Sequence, residues 1–242
     1  MPTRATPSSG SRVPLSRERL LGAAVVLADE DGIESLTMRE LGLRLGVEAM
    51  SLYNHVANKD DILDGMVDLV VSEIDLPSDA ADWKEAMRRR AISARSVFSL
   101  HPWASALVDS RESSGPARLR YLDWVVGTLR RAGFTLETAV RAFSLLDSYI
   151  YGFGRQQLNM SAGGDMKPEE MTEAFLRAIP ADQYPHLREL VVDHAMATSY
   201  DEGADFEFGL DLILDGLERL LDREPRRLQR LSLRWPDFSE QF

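Results

Sequence analysis

An all-α chain is predicted from three features of the sequence. Apolar residues recur three and four positions apart from about residue 16 to residue 222, the spacing of helices with one buried face. No segment sustains period-two alternation bounded by turn dipeptides, as half-buried strands would. Gly32, Gly46, Pro77, Gly133 and Pro180 fall where periodic segments stop.

Taken in order, residues 1–14 are rich in Pro, Ser, Thr and Gly and read as a disordered arm. Ser16 is an N-cap for a first helix carrying Leu20, Leu21, Ala24, Val25, Leu27 and Ala28, which Gly32 ends. Thr37 and Glu40 have capping-box spacing for a second helix that buries Met38, Leu41 and Leu45. Gly46 supplies a left-handed turn at little steric cost. A third helix runs from about Glu48 to His55, with Val47, Leu52 and Val56 in the core beside Leu41 and Leu45. Asn58 and Asp61 then open a fourth, bearing Ile62, Leu63, Met66, Leu69 and Val70. Two short helices broken at Gly46, followed by Ser51, Tyr53, His55 and Lys59 placed to meet phosphates, form the pattern of a helix-turn-helix. The second helix of that motif enters the DNA major groove.

The remainder is also helical in pattern, with helices near 82–100, 102–109, 115–132, 135–159, 168–179, 185–199 and 204–222. Asp82, Thr135 and Pro168 mark starts, and residues 161–165 form a loop. Residues 223–242 are a charged tail of undetermined conformation. The expected units are therefore the arm 1–14, a helix-turn-helix head 15–60, a helical body 61–222 and the tail 223–242.

Two helices of the body are too apolar for an ordinary surface. Residues 139–158 present Phe143, Leu146, Ile150 and Phe153, with Leu145, Tyr149 and Gly152 nearby. Residues 206–221 are apolar almost all the way round, from Phe206 and Phe208 to Leu220 and Leu221. Such helices must be covered on every side. Either they lie at the centre of the core, or they share a face with a second subunit in a four-helix interface.

Bulk properties narrow the function. The net charge is −11, but residues 1–60 hold seven Lys/Arg and eight Asp/Glu, against 21 and 31 in residues 61–242. The acidity lies outside the head, whose affinity for DNA must come from how Arg4, Arg12, Arg17, Arg39, Arg44 and Lys59 are arranged. The acidic body fits a cationic ligand or simply a solvated surface. With no Cys, disulfides, thiolate metal sites and a cysteine nucleophile are excluded. Residues 1–12 lack the apolar stretch of a signal peptide, and no apolar run approaches the roughly 18 residues that cross a bilayer. A cytoplasmic protein without membrane contact is expected.

The segment 16–63 resembles the N-terminal domain of the TetR (tetracycline-repressor-like) family. The resemblance is carried by Leu36-Thr37-Met38-Arg39-Glu40-Leu41, Leu45-Gly46-Val47, Leu52-Tyr53-Asn54-His55-Val56 and Asn58-Lys59. The body is similar to the regulatory domain of the tetracycline-repressor branch at His101-Pro102-Trp103, Gly133-Phe134, Phe208-Gly209-Leu210 and Gly216-Leu217-Glu218. The resemblance implies an all-α homodimer in which a three-helix head sits on a larger ligand-binding and dimerising body. It implies a repressor that a small molecule releases from a palindromic operator, with no cofactor and no catalysis. The dimer would form through the helices near 139–158 and 204–222.

By the same resemblance, Ala49, Met50 and Ser51 face base edges. Neither Ala49 nor Met50 can make bidentate hydrogen bonds, so contact with a thymine methyl is their expected role. Arg39 matches a position that reaches a guanine, and Thr37, Tyr53, His55 and Lys59 match positions on phosphates. Asn54 departs from the tryptophan common in the tetracycline branch, so the operator differs. A pocket in the body is expected, with Phe98, His101, Trp103, Trp124, Tyr149, Phe153, Gln156 and Phe175 as candidate lining, although plain core packing explains each of them better. No metal site is expected, because none of His101, His186 and His194 aligns with a metal ligand.

Other motifs fail on context. Gly152-Phe-Gly-Arg-Gln-Gln has no strand before it, and close helix packing explains it better than a dinucleotide. Asp29-Glu-Asp-Gly lacks the later ligands of a calcium loop. A helical hydrolase using His101 and Asp109 is the remote alternative. A DNA-binding regulator without an effector is the nearer one.

Overall fold

The computed structural model describes residues 14–78, 80, 82–111, 115–161, 168–180, 183–196 and 202–223. Residues 1–13 of the expected arm, 162–165 of the expected loop and 224–242 of the expected tail lie outside them, while Ser161, expected in the loop, closes α8.

All regular structure among the described residues is helical. The head comprises α1 (Arg17–Asp31), α2 (Met38–Leu45) and α3 (Ala49–Leu52), with a single 3₁₀ turn at Ile33–Ser35. α4 (Lys59–Ser72) leads out of the head. The body holds α5 (Trp83–Leu100), α6 (Ala104–Ser110), α7 (Pro116–Ala132), α8 (Leu136–Ser161), α9 (Pro168–Ala178), α10 (Pro185–Met196) and α11 (Glu202–Leu221). Four starts have the expected local cause. Ser16, Thr37, Asn58 and Asp82 accept hydrogen bonds from the backbone N–H three residues on, satisfying donors that a helix end leaves orphaned. Pro116 opens α7, where its missing N–H costs nothing.

One apolar core runs through the molecule, from Leu20 in α1 by way of Ile62, Met66 and Val70 in α4 to Leu214 in α11. α4 contacts α1 on one side and α5, α6 and α7 on the other. It is therefore both a floor for the head and a wall of the body.

Three details differ from the expectation. α3 stops at Leu52 rather than His55, because Asn54 and His55 bond to carbonyls three residues back and tighten the last turn. Leu45 and Val47 are only half-buried, whereas Leu41, Leu52 and Val56 carry the head's core. α11 is two-faced within one chain. Phe206, Leu210, Leu214 and Leu217 are buried, while Phe208 is 69% exposed and Leu212 55% exposed on the outward side. α8 likewise buries Ala139, Ala142, Leu146 and Ile150 but exposes Val140 and Leu145. No helix among the described residues is long and apolar enough to cross a membrane.

Candidate nucleic-acid interface and ligand cavity

The head offers a short helix on a firm support. Gly46 adopts φ +69°, a left-handed conformation, and its neighbour Val47 donates to Gly42 O at 2.9 Å, closing α2. α3 then projects Met50, which is 75% exposed, with Ala49 and Ser51 half-buried beside it. A large apolar side chain left in water at a helix start is costly unless something covers it. Tyr53, Asn54, Arg39 and Lys59 are exposed around it, and His55 is half-buried. Thr37 accepts from Glu40 N as the α2 cap, which leaves its hydroxyl proton to donate outward.

The head's cations divide into two sets. Arg17 binds Asp61 through both terminal nitrogens, at 3.0 and 2.6 Å, and also donates to His55 O. Arg44 pairs with Glu30 and lies 3.8 Å from Asp31, tying the end of α2 to the end of α1. These two are spent inside the head. Arg39 and Lys59 have no ion-pair partner among the described residues, so their charges remain for a phosphate backbone or a base. Asp61 also accepts from Ala57 N at 2.8 Å. The hydrogen bond from Arg17, followed by that from Ala57, holds the Asp61 carboxyl below its ordinary range.

Head and body are joined by polar struts. His101, at the end of α5, places Nδ1 2.9 Å from Asp29 in α1 and Nε2 3.2 Å from Glu73 just past α4. Trp103 Nε1 donates to the same Asp29 at 2.7 Å. Arg111, after α6, grips Asp64 and Asp60 at the start of α4.

The body contains a cavity of about 290 Å³ between α4, α6, α7 and α8. α4 contributes Val71, Ile74 follows two residues past its end, and α6 contributes Val108. α7 supplies Arg118, Tyr121 and Leu122, while Phe143, Ser144, Asp147, Ser148, Tyr151 and Arg155 come from α8. Its one carboxylate is buried. Arg90 Nη2 donates to Asp147 Oδ1 at 2.6 Å, the Tyr121 hydroxyl donates to the same oxygen at 3.1 Å, and the Tyr151 hydroxyl donates to Oδ2 at 3.1 Å. Burial, then the Asp147 charge, push both phenols far above the ordinary tyrosine range, so both stay protonated as donors.

This pairing of a helix-turn-helix head with a cavity-bearing helical body is matched by known proteins. Residues 20–66 match the model of bacterial regulatory proteins of the tetR family, and residues 76–221 match the tetracyclin repressor-like C-terminal domain. The chain belongs to the TetR family. The HTH-type transcriptional repressor DrrR1 of Streptomyces coeruleorubidus is 34% identical over 89% of this chain and 82% of its own length. The class C tetracycline repressor protein of Escherichia coli is 27% identical over 85% of this chain and 92% of its own. Among solved structures, Streptomyces coelicolor ActR in complex with actinorhodin superposes with a TM-score of 0.72 at 28% identity, over 86% of this chain and 99% of that one. This TetR-family member is a DNA-binding transcriptional regulator.

The cavity lining of this TetR-family body includes none of the eight residues expected from the sequence. Phe98 is buried behind the wall, edge-on to Tyr151 with ring centroids 5.3 Å apart. His101 and Trp103 belong to the head–body strut. Tyr149 and Phe153 pack on Phe206 of α11, and the Tyr149 hydroxyl donates to Phe206 O at 2.9 Å. Trp124 is half-buried, Gln156 is exposed one position past Arg155, and Phe175 is exposed on α9. Aromatic residues were sought because they cover area, but here they fill the joints between helices. The signal that does mark the lining is a polar row within an apolar helix: Ser144, Asp147, Ser148, Tyr151 and Arg155 recur three and four apart along α8. Gly152 and Gly154 lie inside α8 and form no phosphate loop.

Gly42 also escapes a pattern reading. A Cβ there would lie 3.0 Å from Val47 O and 3.3 Å from Ala49 Cα, so its lack of a side chain sets how closely α2 and α3 approach.

Proposed function

We propose that the protein represses transcription as a homodimer on a palindromic operator and is released when a small molecule fills the α4–α8 cavity. The observation that carries this reading is the double duty of α4. Its start, capped by Asn58, supports the head through Asp61 and Ile62, and its end supplies Val71 to the cavity, with Ile74 just beyond it. A ligand that shifts this helix moves the head, provided it favours one position of α4 over the other. ActR, the structural relative in complex with actinorhodin, supports a small-molecule effector.

In this reading residues 15–60 read DNA and residues 61–222 bind the effector and dimerise. Ala49, Met50 and Ser51 face base edges, Arg39 reaches a guanine, Thr37, Tyr53, His55 and Lys59 border the phosphates, and Asn54 is the DNA-binding residue that sets the operator apart. The outward stripe of Phe208, Leu212 and Leu220 on α11, with Val140 and Leu145 on α8, is the dimer face. Two heads then address half-sites about 34 Å apart. We assign no catalytic reaction. His101, the histidine a hydrolase would need, faces carboxylates with both ring nitrogens, and the Asp109 side chain lies outside those described. The protein acts in the cytoplasm, where its DNA is.

Titration onto a palindromic duplex at several salt concentrations tests the reading. Lys59→Ala is expected to weaken binding to every sequence and lower the salt slope by about 1, while Arg39→Ala relaxes discrimination at one base position. Phe208→Asp is expected to give monomers by sedimentation and to abolish tight binding. A wild-type protein that sediments as a monomer overturns the proposal.

A further inference from the structure

We propose that the molecule taken by the α4–α8 cavity is an aromatic anion, a small fused-ring compound whose carboxylate or phenolate lies between Arg118 and Arg155. This rests on the reading of the cavity as the effector site and names the class of compound that fills it.

The charge of the lining decides the class. It holds two guanidiniums and one carboxylate. The carboxylate of Asp147 is already engaged by Arg90, Tyr121 and Tyr151, and Arg90 is fully buried beside it. The ion pair is therefore neutral as a unit, and a ligand cation finds no unpaired charge to meet. It would also lie close to two arginines, which repel it.

Arg155 offers the opposite. Arg155 lines the cavity while remaining exposed, and it has no ion-pair partner among the described residues. Arg118 enters from the facing helix, its Nη1 donating to Arg111 O at 2.7 Å. Guanidinium forks hold carboxylates and phenolates well. The walls between them, Val71, Ile74, Leu122 and Phe143, are apolar or aromatic and suit a flat ring system. The lining thus reverses the sign of the body around it, where acidic side chains outnumber basic ones by 28 to 16 over residues 61–222.

Arg118 also connects the site to the head. Its partner Arg111 is the residue whose side chain grips Asp60 and Asp64 at the start of α4. An anion that competes for Arg118 acts on the anchor of the helix that carries the head.

Calorimetric titration of the full-length protein with 2-naphthoate, 2-naphthamide and 2-(aminomethyl)naphthalene tests the proposal, because the three differ chiefly in charge. The carboxylate is expected to bind at least about tenfold more tightly than the amide, and the amine most weakly. Arg155→Gln is expected to remove most of that preference with little change for the amide, and Arg155→Lys to keep it. An amine that binds as tightly as the carboxylate overturns the proposal. So does a preference that survives Arg155→Gln, or naphthoate that fails to bind at about 1 mM. Operator titration of the same preparation separates the two levels. Naphthoate that binds with the expected charge preference yet leaves operator affinity unchanged upholds the anion site and refutes the effector reading. Release by all three compounds alike does the reverse.

Discussion

Asp29 and His101 are 72 positions apart in the chain, yet Asp29 Oδ1 lies 2.9 Å from His101 Nδ1, across the boundary between head and body. Trp103 Nε1 reaches the same carboxylate at 2.7 Å. One acidic side chain near the end of α1 thereby receives two groups from the turn between α5 and α6.

Asp29→Ala is accordingly expected to destabilise the protein by about 1–3 kcal/mol, because it leaves the indole N–H of Trp103 without its acceptor in a buried site. In a chain of this size that lowers the melting temperature by about 2–12 °C in calorimetry. Asp29→Asn retains an acceptor for Trp103 and is expected to cost less. A melting temperature unchanged in Asp29→Ala would mean that the strut contributes nothing.

Gly42→Ala addresses the approach of α2 to α3. All three nearest atoms that the new methyl meets are backbone, so no side chain can swing aside. The expected cost is about 1–3 kcal/mol, the range for overpacking. Operator affinity should fall by about tenfold or more as α3 is displaced, since that loss equals about 1.4 kcal/mol. Anisotropy titration against the wild type checks this, with cavity binding of 2-naphthoate as the control. Retained operator affinity would show that α3 tolerates the shift.

Acid should weaken the head. Asp61 has its folded pKa depressed by the Arg17 hydrogen bond and the Ala57 N–H. Its contribution is present in full above the unfolded value of about 4 and is lost as pH falls through the lower folded value. The stability gap between wild type and Asp61→Asn, followed by circular dichroism melts, is expected to be largest near neutral pH and to shrink below about pH 4. A gap that stays constant into acid would rule out ionised Asp61 as the source.

The helices and their ends were legible from residues close to one another in the chain. Ser16, Thr37, Asn58 and Asp82 cap N–H groups three positions ahead, and Gly46 and Gly133 both take positive φ where periodic segments stop. The helix-turn-helix followed from the same short-range rules, together with the length of the break at Gly46. The expected end of the third helix at His55 lies three residues past the observed one, because i→i+3 tightening after Leu52 leaves no mark in composition.

The cavity was not legible in the same way. Its aromatic candidates were sought by residue type, yet only the packing of α8 decides that Phe143, Asp147 and Tyr151 turn towards α7 while Tyr149 and Phe153 turn towards α11. The net acidity of the body fitted a cationic ligand, but a sum over the surface says nothing about one lining. Arg17 and Arg44 were counted among the cations available to DNA, and the fold spends both on carboxylates.

The amino-acid sequence alone determined the helical class, the caps, the reading head and the family, because each depends on spacings of a few residues that hydrogen bonding and helical periodicity make unambiguous. Tertiary structure alone decided that Arg90 neutralises Asp147 from 57 positions away, that Asp29 meets His101, and that Arg155 stays without an ion-pair partner among the described residues. Those outcomes depend on which charges burial brings together, and burial is a property of the assembled helices rather than of any one of them.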